Sequence, residues 1–416
     1  MRRDPRRTPL VHTNWLQAPL ALLAGAVLSL TFLLVDNAPF LHDELSRGQP
    51  PGRDFFTAWT AGQLASQGRF DDIYNAALLL THLPQSLQDS GAMYHYAYSP
   101  QILPVLNLLG ALPYPAALSL WTALGYALLL LVALPYSRDP RVALLLLFAP
   151  AAMINASFGQ TGLISAALLV GALRLMGTQP IAAGILLGLL TFKPQMGLLL
   201  PVALLAARQF RAFGAATLTT LATIAASWLL LGQDAWAAWL RHEPWVFSRA
   251  FLEYGSGAGV LMQISPFISV RQLTDSLAAA WLIQALCSLA AAACIAWLFG
   301  RRTRGFGHEQ HPAEPTTLYT FTALAAAGLI ATPYAHNYDM VALGLCALAL
   351  LMLAKPGPWE AALLSAVWLT PPMVLPLGVM GLPITPLLVI ALLVLCCARV
   401  SRQPVASGVT SATPTS

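Results

Sequence analysis

The chain has 416 residues, of which 57% are hydrophobic and only 9% are charged. With a mean hydropathy of +0.66, this composition excludes a soluble globular protein and indicates an integral membrane protein. A formal net charge of +5 alone would be compatible with nucleic-acid binding, but the basic residues fall in short loops between apolar segments, which is a pattern of membrane topology. No nucleic-acid partner is therefore expected. The five cysteines show no CxxC spacing, so neither a disulfide framework nor a zinc site is predicted.

Apolar segments follow one another along most of the chain and predict an all-α, polytopic bundle of about 12 transmembrane helices. The predicted spans are about 17–35, 115–136, 141–154, 161–176, 180–192, 195–207, 213–231, 277–299, 317–332, 338–354, 359–376 and 384–398. The apolar stretch 99–112 is short, and we expect it to be re-entrant or packed on the bundle.

The domain organisation follows from these spans. Residues 1–16 form a basic cytoplasmic N-terminus, residues 17–400 form the transmembrane domain, and the Ser/Thr/Pro-rich tail 401–416 is predicted to be disordered and cytoplasmic. Two long loops, 36–98 and 232–276, are predicted on the outer side of the membrane.

The first outer loop is predicted to carry amphipathic helices. Apolar residues recur at helical spacing between Asp54 and Gln67, and Gly68 follows as a stop signal. We expect this helix to lie on the membrane surface. The second loop contains several tryptophans, which are typical of the membrane interface.

The distribution of charge predicts the orientation of the chain. With the N-terminus inside, the inner side holds 15 of the 22 Lys and Arg residues but only 5 of the 17 Asp and Glu residues. Both termini are then cytoplasmic in the cell (inner or plasma) membrane. The polar clusters at helix ends all fall on the periplasmic or extracellular side, where they can form one site.

Two charged residues stand out on the predicted outer side. Asp54 opens the first outer helix beside aromatic residues, so it either favours the helix dipole or acts as a general base. Lys193 is one of only two lysines and precedes Pro194, which breaks the helix. It either extends to the interface or binds a phosphate at the membrane edge.

Three further clusters have a structural and a functional interpretation each. The segment from Tyr334 to Asp339 is either a polar turn with an Asp cap, or it places His336 against a phosphate or an acceptor. The segment from Asn155 to Gln160 is either a turn between helices or a part of the site. Asp71 and Asp72 are expected to occupy a solvated turn or helix start rather than to bind substrate.

At these residues the chain resembles glycosyltransferase family 87, whose members are polyprenyl-phosphate-sugar-dependent transferases of the GT-C superfamily. The resemblance covers roughly residues 50–350. Its landmarks are Asp54-Phe55, Gly68, Ile73-Tyr74, Tyr96-Ala-Tyr98-Ser-Pro100, Trp121, Gly159-Gln160, Lys193-Pro194-Gln195 with Arg208 and Arg211, and Pro333-Tyr334-Ala-His336-Asn-Tyr338-Asp339. Ser99 departs from the pattern, because the family often has a second proline there.

The resemblance implies a GT-C-like bundle and an inverting, mannosyltransferase-like enzyme that uses a polyprenyl-phosphate mannose donor. It assigns the general base to Asp54 and the family's late histidine to His336. The acceptor is expected to be a glycolipid or a polysaccharide. No cofactor is expected, because the lipid-linked sugar is itself the donor.

The predicted site has one catalytic residue, Asp54, and no metal ligand. The residues predicted to bind the donor phosphate or the substrate are Lys193, His336, Tyr98, Gln160, Asn155, Tyr338 and Asp339. The competing hypothesis is a flippase or transporter of lipid-linked sugars, which would also need a polar cavity. Transporters often show inverted repeats, and no internal repeat is evident in this sequence.

Overall fold

The computed structural model describes residues 27, 52–89, 94–133, 140–242, 247–301 and 314–402. Several predicted segments fall wholly or mainly outside the described residues: 1–16, 17–35, 36–51 of the first outer loop, and 403–416 of the tail.

The described part of the chain is helical and contains no β-strand. Its α-helices are Arg53–Ser66, Phe70–Tyr74, Ala76–Thr81, Gln85–Gln88, Leu103–Gly110, Tyr114–Ala133, Pro140–Leu147, Pro150–Phe158, Gly162–Leu175, Pro180–Leu189, Leu200–Ala206, Phe210–Leu231, Gln233–His242, Phe247–Tyr254, Ala258–Leu261, Pro266–Thr274, Leu277–Arg301, Pro315–Ala331, Val341–Leu353, Pro358–Val379 and Thr385–Ser401. Short 3₁₀ helices are Pro100–Ile102, Leu190–Phe192, Pro194–Gly197 and Asn337–Met340.

Four of these helices are long and apolar enough to cross a membrane: Tyr114–Ala133, Phe210–Leu231, Leu277–Arg301 and Pro358–Val379. At about 1.5 Å per residue, each reaches the roughly 30 Å of a hydrocarbon core. The other apolar helices in the described ranges have 17 residues or fewer. The structure therefore agrees with an all-helical, membrane-embedded protein, but it establishes four candidate spans and not the predicted count of about 12.

Helices at the periphery of the bundle and helices at its centre differ sharply in burial. In Phe210–Leu231 only Ala212 and Ser227 are buried, and Leu229 is 88% exposed. Such a surface is unfavourable in water and favourable against lipid. By contrast, almost every residue of Pro315–Ala331 is buried, so this helix forms the centre of the core.

The predicted span 141–154 is wrong in one respect, because it consists of two helices. Pro140–Leu147 ends, Ala149 takes an extended conformation, and Pro150 begins the next helix. Proline has no amide hydrogen to donate to the preceding turn, so it starts a helix more readily than it continues one.

A second break lies between the predicted spans 180–192 and 195–207. The helix that begins at Pro180 tightens into a 3₁₀ turn at Leu190–Phe192, and Lys193 leaves the helical conformation with φ −120° and ψ 75°. A further 3₁₀ turn, Pro194–Gly197, precedes the short helix Leu200–Ala206. The break holds Lys193 at a helix end inside the protein.

The segment 99–112 folds as a 3₁₀ turn followed by the helix Leu103–Gly110. That helix is only about 12 Å long, less than half of a hydrocarbon core. It packs closely on Arg53–Ser66, since a Cβ atom at Gly62 would lie 2.0 Å from the carbonyl oxygen of Leu106. This packing fixes the helix whose first turn carries Asp54.

Candidate active site

The first turn of Arg53–Ser66 is held in place on both of its sides. Gly52 caps the helix in the left-handed region, with φ +73°, and its carbonyl oxygen accepts a hydrogen bond of 2.9 Å from the Tyr114 hydroxyl. The Phe55 ring stacks on Trp121 with 5.7 Å between ring centroids. Asp54 is thereby left half-buried at the open end of the helix.

Gln160 joins Asp54 to Tyr98. The Gln160 Nε2 group donates to Asp54 Oδ2 at 2.7 Å, and the Tyr98 hydroxyl donates to Gln160 Oε1 at 2.8 Å. Because an ionised carboxylate can only accept, the amide must present its nitrogen to Asp54. Gly159 makes this possible, since its φ of +69° ends the preceding helix and turns the chain toward Asp54.

The chain of contacts continues to Lys193 through Thr161. Tyr98 Oη lies 3.2 Å from Thr161 Oγ1, and Lys193 Nζ donates to the same oxygen at 3.3 Å. Lys193 also forms an ion pair with Asp339, and each residue is only 3% exposed. The lysine charge is thus balanced inside the protein, whereas the sequence alone left a free cation as one interpretation.

Asp339 in turn orders the turn that contains His336. The His336 backbone N–H donates to Asp339 Oδ2 at 3.1 Å. Its Nδ1 lies 3.1 Å from the Tyr334 carbonyl oxygen, which can only accept, so Nδ1 carries the hydrogen. The imidazole stacks on Tyr338 with ring centroids 4.9 Å apart.

Burial lowers the pKa of His336, with Asp339 opposing and Lys193 reinforcing the shift. The imidazole is therefore neutral at pH 7, and its Nε2 is a hydrogen-bond acceptor. A neutral imidazole suits a hydroxyl group better than it suits a phosphate, which favours the acceptor over the phosphate as the ligand of His336.

Asn155 lies behind this row of residues. It is fully buried, and its Oδ1 accepts from the Leu163 backbone N–H at 3.3 Å. It links the end of Pro150–Phe158 to the start of Gly162–Leu175. Its Nδ2 has no hydrogen-bond partner within the described residues, and the expectation that Asn155 binds substrate stays a prediction.

Asp71 and Asp72 lie apart from the row and make ion pairs at the surface. Asp71 accepts from Arg241 at 2.9 Å, which joins the first outer loop to the second. Asp72 pairs with Arg69 and lies 2.9 Å from His82 Nε2. The two carboxylates thus have the structural role that the sequence favoured.

Two residues of the site were missed in the sequence. The His95 ring lies 5.7 Å from that of Phe251, which lies 6.4 Å from His336, so both outer loops meet at this histidine. Burial, and then the neighbouring His336, lower the pKa of His95 to about 3. Gln263 pairs with His336 in an isolated antiparallel bridge. A polar residue inside the short apolar run Val-Leu-Met-Gln-Ile was the available signal for Gln263.

The described arrangement has three parts. They are a partly exposed carboxylate that one amide holds in place, a neutral imidazole, and a buried ion pair. Such a set can accept a proton from a hydroxyl group and can orient polar ligands. Among the described residues, no group of three or more His, Cys, Asp or Glu side chains is placed to hold a metal ion.

A half-buried carboxylate at a helix end, with a row of hydrogen-bonded polar residues behind it, is an arrangement that a membrane-embedded enzyme can use for general-base chemistry. The family profile of Glycosyltransferase family 87 matches residues 96–307, which is half of the chain. The chain therefore belongs to glycosyltransferase family 87. No curated protein and no solved structure matches it. Tyr98, Gln160 and Lys193 lie within the matched range, whereas Asp54 and His336 lie outside it.

Proposed function

We propose that this family 87 glycosyltransferase moves a sugar from a polyprenyl-phosphate donor to a hydroxyl group of a lipid or polysaccharide acceptor on the outer face of the cell membrane. Mannose is the sugar expected from the family resemblance. The observation that carries the proposal is the position of Asp54, which is half-exposed at a helix end and connected through Gln160, Tyr98 and Thr161 to the buried Lys193.

Asp54 acts as the general base of this reaction. The acceptor hydroxyl loses its proton to Asp54, and its oxygen forms a bond to the anomeric carbon. The bond between that carbon and the phosphate oxygen breaks, and the electron pair leaves with the polyprenyl phosphate. A single displacement of this kind inverts the configuration at the anomeric carbon. Gln160 contributes orientation, because its 2.7 Å hydrogen bond fixes one carboxylate oxygen and leaves the other toward the acceptor.

The charges around the site allow an anionic donor to approach. Lys193 pairs with Asp339, and Arg53, which precedes Asp54 in the chain, adds a second positive charge with its guanidinium 4.5 Å from the centroid of the Phe158 ring. A site without a net negative charge does not repel the donor phosphate. Positive charge fixed beforehand near the leaving phosphate stabilises the charge that develops there, and we assign this role to Lys193.

The decisive experiment compares purified wild type with Asp54→Asn in lipid, using radiolabelled polyprenyl-phosphate mannose and a membrane lipid extract. We expect transfer by the wild type and a loss of about 10²- to 10⁴-fold in the variant. Asp71→Asn is the matched control, because this carboxylate pairs with Arg241 at the surface, and it should retain wild-type activity. EDTA should leave transfer unchanged.

Equal turnover by wild type and Asp54→Asn would refute the role of Asp54. Transbilayer movement of the labelled lipid without transfer by either protein would identify a flippase instead. Loss of transfer in EDTA, with recovery on adding a divalent metal, would contradict the metal-independent mechanism.

A further inference from the structure

The side-chain amide of Gln263 is buried and has no hydrogen-bond partner among the described residues. The residue is 4% exposed, and neither Nε2 nor Oε1 has a partner within the described part of the chain. A buried polar atom without a partner has lost its hydrogen bonds to water and gained none in the protein. Most buried amides in folded proteins are paired, so an exception beside a functional site calls for a physical explanation.

The backbone places this amide next to His336. Ile264 N donates to Ala335 O at 2.9 Å, and Asn337 N donates to Met262 O at 3.0 Å. These bonds flank Gln263 and His336, which therefore form a non-hydrogen-bonded antiparallel pair. The two side chains of such a pair leave the backbone on the same face, with Cα atoms about 4.5 Å apart.

The surroundings keep the amide in this position. Met262 packs against Phe158 and Tyr338 in a small apolar cluster on one side of Gln263. On the other side, the Ser265 side chain caps the following helix by accepting from Ile268 N at 3.3 Å. These contacts hold the backbone on either side of Gln263 in place.

We propose that Gln263 binds hydroxyl groups of the sugar that is transferred. An amide offers one acceptor and two donors, which match neighbouring hydroxyl groups that both donate and accept. His336 Nε2 supplies a further acceptor beside it. A phosphate is a poorer ligand for this pair, because it has no hydrogen to donate to the amide oxygen or to the imidazole lone pair.

The inference rests on the proposed function and assigns a recognition residue within it. Gln263 sets which sugar is accepted by pairing with its hydroxyl groups. Its unpaired state in the free protein is the energetic cost of a site made for a polar ligand, since functional sites are commonly where local stability is sacrificed.

The test compares Gln263→Met with Gln284→Met. Gln284 is equally buried, at 3% exposure, but its amide is fully used: Oε1 accepts from Phe267 N at 3.1 Å, and Nε2 donates to Ile330 O at 2.9 Å. Gln263→Met should keep or raise the Tm, while kcat/KM for the donor falls about 10- to 100-fold. Gln284→Met should lower the Tm.

A second measurement addresses recognition itself. Wild type and Gln263→Met are assayed with polyprenyl-phosphate mannose and with polyprenyl-phosphate glucose, which differ at one hydroxyl group. The ratio of the two kcat/KM values should move toward one in the variant. If Gln263→Met keeps the wild-type kcat/KM and the wild-type ratio, this inference is wrong while the proposed function stands. The same holds if the variant has a lowered Tm and its kcat/KM falls equally with both donors. No transfer by the wild type from either donor would refute the proposed function, and this inference with it.

Discussion

The buried ion pair between Lys193 and Asp339 makes a quantitative prediction. Lys193→Met removes the cation and leaves Asp339, which is 3% exposed, with the His336 backbone N–H as a remaining hydrogen-bond donor. Breaking one half of a buried pair costs about 3–5 kcal/mol, because the other charge stays without compensation. Exposed ion pairs contribute only about 0–1 kcal/mol.

Arg241→Gln is the matched control for this substitution. Its partner is Asp71, and the two side chains are 61% and 57% exposed. Thermal unfolding in the same detergent should show a large fall in Tm for Lys193→Met and almost none for Arg241→Gln. The double variant Lys193→Met with Asp339→Asn should recover most of the lost stability, since both charges are then gone.

The double variant also separates the two roles of Lys193. A stable double variant with reduced kcat means that the Lys193–Asp339 pair contributes to catalysis as well as to stability. A stable double variant with wild-type kcat would restrict Lys193 to a structural role. A fall in Tm for Lys193→Met no larger than that for Arg241→Gln would refute the reasoning about the buried pair.

Two further predictions concern the first outer loop. The pKa of His95 is lowered from 6.5 to about 3, so below pH 6.5 the unfolded chain binds a proton that the folded chain does not. Stability should therefore fall as the pH drops from about 6.5 toward 3. His95→Gln should flatten the dependence of Tm on pH over that range, and an unchanged slope of Tm against pH in this variant would contradict the prediction. Gly62→Ala should cost about 1–3 kcal/mol through overpacking, because the new Cβ would lie 2.0 Å from Leu106 O. Gly214→Ala, which meets nothing within 4 Å, should not lower the Tm.

Polar residues at the ends of apolar segments were the strongest signal in the sequence. A charge inside a membrane protein needs a partner or a function, and this rule selected Asp54, Lys193 and Asp339 before any contact was known. The rule could not distinguish a partner from a function. Only the fold shows that Lys193 and Asp339 pair with each other.

Helix boundaries were predictable wherever proline marked them. The division of 141–154 at Pro150 and the break at Pro194 both follow from the missing amide hydrogen of proline. Hydropathy merged the two helices on either side of Pro150 into one span, 141–154, because it averages over the break, whereas the break at Pro194 already separated two predicted spans.

Contacts between distant loops were beyond the reach of the sequence. Gln263 and His95 lie in outer loops without a periodic pattern, and they reach His336 through an isolated bridge and a row of aromatic rings. Such contacts depend on the mutual placement of several helices, and no local propensity encodes that placement.

The direction of the hydrogen bonds around Gln160 determines where the acceptor's proton can go. Tyr98 donates to the amide oxygen and the amide nitrogen donates to Asp54, so every hydrogen in this short relay points toward the carboxylate. An amide has no readily transferable proton and does not pass one inward. In the proposed mechanism, the proton that Asp54 accepts in each cycle must therefore leave by the partly exposed face on which it arrived. Sugar transfer in this architecture is then separate from any movement of protons through the bundle.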